Sequence, residues 1–234
     1  MTLYAGASGF AYKEWRGSFY PETLKEADFL DYYARHVPAV EINNSFYRIP
    51  NTKTLEGWAQ RTPESFRFVI KASRQITHLK RLKDAEQPTS FLFKSLEALG
   101  DRLGPVLFQL PPFQRKDLER LEAFLAILPK DRRVTFEFRH ESWFTDDVFN
   151  RLREHGVALC INDVEKDEQA SPFVATASWG YLRLRQPRYP KPTLRAWLKR
   201  IAGQSWTDTY VFFKHEDAGI GPRQAKELLA LAAR

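Results

Sequence analysis

One rhythm constrains this chain more than any other feature. Short runs of β-branched and aromatic residues alternate with helix-like amphipathic runs, at intervals of about 30 residues, the size of one βα unit. The strand-like runs are Leu3–Ser8, Ala39–Asn44, Phe66–Ala72, Gly104–Pro112, a run starting at Arg133, Gly156–Asp163, Tyr181–Arg185 and Thr209–His215. Between them, apolar spacing predicts helices from Pro21 to about His36, over Thr52–Arg61, and from about Pro88 to Leu103 with Phe91, Leu92, Leu96 and Leu99 as its stripe. Leu118, Leu121, Phe124, Leu125 and Leu128 mark a fourth helix, and Phe149 and Leu152 a fifth. Leu194, Trp197, Leu198 and Ile201 mark the next, and the last runs from about Pro222 to Leu231. The segments Arg74–Lys83 and Glu165–Trp179 read as loops, the first basic, the second with at most a short helix.

Repeated strand–helix alternation argues for parallel strands with helices packed outside them. Eight units in 234 residues favour a single closed (β/α)8 TIM-like barrel, one domain over 1–234, over an open doubly wound sheet. The first strand also lacks the glycine-rich phosphate turn that marks many open sheets.

Several classes are excluded. A single cysteine, Cys160, allows no intramolecular disulfide and no cysteine-based metal cluster. With no basic leader followed by an apolar run, and no apolar stretch of about 18 residues, the chain is expected to be cytoplasmic and to have no membrane partner. No P-loop, nucleophile-elbow serine, HExxH or CxxC is present. The formal charge of +7 favours anionic partners, either an anionic small molecule or nucleic acid.

In a barrel of this kind the site lies at the C-terminal ends of the strands. The polar residues that gather there are Ser8, Glu41, Asn43, Lys71, Gln109, Glu137, Arg139, Asp163, Arg183 and His215. Alternation explains the choice, since Phe136 and Phe138 take one face of the fifth strand while Thr135, Glu137 and Arg139 take the other. So many inward charges must pair or meet a ligand. Expected pairs are Glu41 with Lys71 and Glu137 with Arg139. Glu41 and Glu137 suit a general acid and base, with Lys71, Arg139 and Arg183 clamping an anion. A carboxylate pair also fits a sugar-processing hydrolase. Glu41, Glu137, Asp163 and His215 form an alternative divalent-ion set, but their spacing matches no metal motif, so no metal ligand is assigned and no cofactor is identified. Tyr12, Trp15, Phe19, Tyr20, Phe46, Tyr47, Trp143 and Phe144 follow strands one, two and five. Beside Arg74, His78, Lys80, Arg81 and Lys83, they suit stacking and phosphate contact, or packing as a lid.

Several motifs, in one order over nearly the whole chain, resemble the YecE-like family, domain of unknown function 72. They are Ala5-Gly6-Ala7-Ser8-Gly9, Val40-Glu41-Ile42-Asn43-Asn44-Ser45-Phe46-Tyr47-Arg48, Ile76-Thr77-His78, Phe108-Gln109-Leu110-Pro111-Pro112 and Glu137-Phe138-Arg139-His140-Glu141-Ser142-Trp143. The resemblance implies a TIM-like barrel with no assigned activity. It singles out Ser8, Trp15, Glu41, Phe46, Tyr47, Lys71, His78, Gln109, Glu137, Arg139 and Trp143. The chain departs from the family pattern at Arg183-Leu184-Arg185-Gln186 and at Lys214-His215, which add charge to the rim. The function expected is an enzyme acting on a phosphate-bearing or nucleotide-like substrate; the alternatives are a non-catalytic nucleic-acid binder and the sugar hydrolase.

Overall fold

A computed structural model describes residues 1–163, 170–214 and 217–233. Eight parallel strands close into a barrel in sequence order. They are β1 (Thr2–Ala7), β2 (Ala39–Ile42), β3 (Arg67–Lys71), β4 (Leu103–Gln109), β5 (Val134–Glu137), β6 (Ala158–Asn162), β7 (Gly180–Leu184) and β8 (Asp208–Phe213). The helices are α1 (Phe29–His36), α2 (Thr52–Gln60), α3 (Glu86–Leu96), α4 (Leu118–Ala126), α5 (Asp146–Glu154), α6 (Lys191–Ala202) and α7 (Ile220–Ala232).

The strands begin within two residues of the predicted runs, with β1, β4, β7 and β8 one residue early. Backbone bonds such as Ala72 N to Leu107 O carry the ladder past the assigned ends. The helices depart more. Between 21 and 25 only Leu24 is partly buried against the core, too little to offset the cost of ordering a helix there. Helix α1 begins at Phe29, where Phe29 and Leu30 enter the core, after a 3-10 turn at Glu26–Asp28. Helix α3 ends at Leu96 and continues as a 3-10 segment to Arg102, broken by Gly100 at φ 53°. Phe91, expected on its buried stripe, is exposed instead. The basic loop after β3 contains a π-helical turn, Gln75–Leu79. Residues 170–179, between β6 and β7, carry no helix, and 164–169 lie outside the described residues.

Two apolar layers follow from the strand period of two. Outward residues such as Phe68, Phe108, Phe136 and Leu182 join the helices in one large core. Inward residues including Val69, Leu107, Cys160, Tyr181 and Phe212 form a second, smaller plug. The plug fills the lower barrel, so the polar inward side chains are stacked above it, toward the C-terminal mouth.

The closure is uneven. Strands β1 and β8 pair along their full length, from Thr2 with Asp208 to Ala7 with Phe213. By contrast β1 meets β2 only at Gly6 with Ala39 and Ala7 with Val40. Strands β5 and β6 meet only at Thr135 with Ala158 and Phe136 with Leu159. At the first of these seams a Cβ on Gly6 would collide with the Ala39 carbonyl, so glycine lets the strands approach. The buried Tyr33 hydroxyl of α1 completes the junction, accepting from Ala7 N at 2.7 Å and donating to Ala39 O at 3.0 Å. Among the described residues no helix is long and apolar enough to cross a membrane.

Candidate active site at the barrel mouth

The inward ends of β2, β5 and β7 meet in an ion triad. Arg183 donates from Nη2 to Glu41 Oε1 at 2.8 Å and from Nη1 to Glu137 Oε2 at 2.5 Å. All three side chains are buried, with Glu41 and Glu137 at 0% exposure. Both carboxylates are further satisfied. Glu41 accepts from Ser8 Oγ at 2.8 Å, Asn43 Nδ2 at 3.1 Å and Tyr181 OH at 2.5 Å. Glu137 accepts from Arg139 Nε at 3.3 Å. Burial alone would push the Glu137 carboxyl up, but Arg183 and Arg139 together hold it well below the usual carboxylate range. Burial, then the Glu41 charge, pushes the Tyr181 phenol up, so it stays a donor.

Lys71 does not pair with Glu41 as alternation suggested. Its Nζ donates to Gln109 Oε1 at 2.8 Å and lies 4.5 Å from the centre of the Phe46 ring. Among the described residues it has no carboxylate within ion-pair distance. Glu41 is committed to Arg183, whose two terminal nitrogens reach Glu41 and Glu137 at once. Burial, reinforced by the Arg183 charge, lowers the Lys71 amine to about 8. His78, on the π-helical turn, packs edge-on against Phe46 at 4.8 Å. Burial, then the Lys71 and Arg139 charges, lowers its pKa, which keeps it neutral at pH 7.

The other expected residues divide. Ser8, Asn43, Gln109 and Arg139 join the triad's network. Tyr47 is 71% exposed, with Arg74 over its ring. Trp15 is fully buried in an aromatic cluster with Phe19, Tyr20 and Tyr33, and offers no face to the mouth. Trp143 is equally buried, stacked on Phe138 at 4.6 Å and donating to Gln114 O at 2.7 Å. Asp163 turns to a separate cluster, accepting from Arg185 N at 2.6 Å and Tyr189 OH at 2.5 Å. Burial raises its pKa above the usual value. The divalent-ion alternative finds no support in this arrangement. Glu41 and Glu137 share a guanidinium, Asp163 lies apart, and His215 is outside the described residues. Among the described residues no three His, Cys, Asp or Glu side chains converge as a metal site.

Sequence reading missed Tyr181, although the alternation that turns Arg183 inward also turns Tyr181 inward. It also missed a cleft of about 490 Å³ beside the triad, between the loops after β1 and β2. Its lining is scattered over four segments, and no single motif carries it.

Inside the mouth, Lys71, Arg139 and Arg183 stand against Glu41 and Glu137, so the network carries one more cation than anion. Chemically the arrangement can bind an anion at Lys71 and Arg139, and it can deliver or accept a proton at Lys71 near neutral pH.

Known proteins share this framework. UPF0759 protein YunF of Bacillus subtilis is 26% identical over 227 residues, 91% of this chain and 78% of that protein. UPF0759 protein YecE of Escherichia coli K12 is 30% identical over 149 residues, covering 61% of this chain and 55% of that one. The crystal structure of a DUF72 family protein from Thermotoga maritima superposes over the whole of both chains, with TM-score 0.87 and 25% identity. A D-psicose 3-epimerase from Clostridium cellulolyticum shares the fold at TM-score 0.58 and 12% identity, over 87% of this chain and 92% of that one. The family model "Protein of unknown function DUF72" matches residues 4–234, so this chain belongs to the DUF72 family.

Proposed function

We propose that this barrel is an enzyme that takes a phosphate-bearing substrate at its mouth and moves a proton on it through Lys71. Arg139 and Lys71 hold the anion, with His78 beside them. The observation that carries the reading is Lys71: an inward amine, without a carboxylate partner among the described residues, lowered to about 8 by burial and neighbouring cations. An amine in that state is poised for acid/base work near neutral pH. The acid/base role that sequence suggests for Glu41 and Glu137 passes to Lys71 in this reading. Their oxygens are taken up by Arg183, Arg139, Tyr181, Ser8 and Asn43, and Glu137 is too acidic to serve as a proton donor. The same fact weighs against the sugar hydrolase, which needs one carboxyl protonated near neutrality.

The test reads Lys71 directly. Amine-selective labelling followed by mass spectrometry, from pH 6 to 10, should place its midpoint near 8. A bound anion favours the protonated amine, so millimolar inorganic phosphate should move that midpoint upward and suppress labelling at pH 8. A midpoint above 10, or one indifferent to phosphate, sinks the proposal.

A second reading has an observation of its own. Tyr47, Leu79 and Phe113 are exposed in the loops after β2, β3 and β4, with Arg74 near Tyr47 and Arg81 over Phe113. Exposed rings interleaved with arginine suit single-stranded nucleic acid. A fluorescent oligonucleotide that binds at low salt and dissociates steeply as salt is added would favour this reading.

A further inference from the structure

The cleft beside the triad has a lining suited to one kind of ligand group. Ser8 and Asn43 form the end of the cleft that touches the ion network, each donating to Glu41. Phe10, Ile49 and Trp58 supply apolar wall, with Phe10 and Trp58 edge to face at 5.8 Å. Arg48 also lines the cleft, and no carboxylate does. With Asn43 Nδ2 spent on Glu41, its Oδ1 is buried and has no hydrogen-bond partner among the described residues. A buried amide oxygen left without a donor is destabilising. A ligand hydroxyl that draws the part-buried Asn43 side chain toward the cleft relieves that cost, while aromatic and aliphatic walls accept the C–H face of a ring.

We propose that this cleft is the subsite for a neutral, hydroxyl-bearing ring, the chemistry shared by a sugar phosphate and the ribose of a nucleotide. The inference rests on the anion reading for the charged end of the same substrate. The geometry joins the two, because Asn43 and Ser8 share Glu41 with Arg183, and Arg183 continues to Glu137 and Arg139. A ring in the cleft therefore places its phosphate toward the cationic side of the mouth. Asn43 is a binding residue here, reading the hydroxyl.

Calorimetric titration of the full chain with inorganic phosphate, ribose, ribose 5-phosphate and AMP tests this. Ribose 5-phosphate and AMP should each bind about tenfold or more tighter than inorganic phosphate, the increment of one satisfied hydrogen bond plus ring contact. Ile49→Trp fills the cleft and should bring both back to the affinity of phosphate, leaving phosphate itself unchanged. Asn43→Ala should also weaken both sugar ligands, through the lost acceptor. Equal affinity for the two ligands assigns the sugar as the group read; a further gain for AMP assigns a nucleotide. If phosphate binds and neither ligand exceeds it, the subsite is overturned while the anion reading stands. If ribose binds in an Ile49-dependent way and phosphate does not, the anion reading falls and the subsite remains. Binding of none of the four overturns both.

Discussion

Arg183 is the residue on which the interior turns. Two buried carboxylates are tolerable because one guanidinium reaches both, and each takes further hydrogen bonds. Removing it leaves two buried carboxylates without their shared guanidinium, Glu137 keeping only the longer Arg139 contact and Glu41 only neutral donors. Arg183→Met should therefore lose about 3–5 kcal/mol of unfolding free energy. Replacing all three together, as Glu41→Gln, Arg183→Met and Glu137→Gln, should recover most of that loss. In Arg183→Met burial is no longer offset by Arg183, so the Glu137 carboxyl moves upward and the folded state of the variant holds more protons. Its deficit should then shrink as pH falls from 7 toward the unfolded carboxyl value of about 4.5. Urea denaturation at pH 7 and pH 5 measures both effects, and a deficit independent of pH would count against the assignment. At this scale the sequence was informative about direction and weak about partners. Alternation along β5 and β7 turns Glu137 and Arg183 inward, but pairing is decided across the barrel, where spacing along the chain carries no information. Hence Lys71 finds Gln109 rather than Glu41.

Among the elements, strands were the more legible because short β-branched and aromatic runs recur, with their few polar residues falling on one face. Helix ends were less so, since a start such as Pro21 resembles a helix locally but buries nothing. The β1–β2 junction shows how an element outside the sheet can complete it. Tyr33 of α1 serves as a side-chain rung between the two strands, accepting from Ala7 N of β1 and donating to Ala39 O of β2. Tyr33→Phe leaves a buried N–H and a buried carbonyl unsatisfied, and should cost about 2–4 kcal/mol. A loss below about 0.5 kcal/mol in denaturant midpoint would mean that the two strands re-pair without it.

For the whole molecule, the two short pairings divide the barrel into β2–β5 on one side and β6–β8 with β1 on the other. Amides along these seams should exchange with solvent faster than those between β8 and β1 or between β7 and β8. Native-state hydrogen exchange resolves this, and uniform protection around the barrel would refute it. No local motif announces the division, because it arises from register, which the sequence sets only through packing. The ion triad spans it: Glu41 and Glu137 belong to one half, while Arg183, Tyr181 and Ser8 belong to the other. The bonds that shape the floor of the mouth are thus also the clasp between two half-shells. A ligand that engages Glu41 or Arg183 from the mouth should therefore be felt at both seams, and slower amide exchange there would register its arrival.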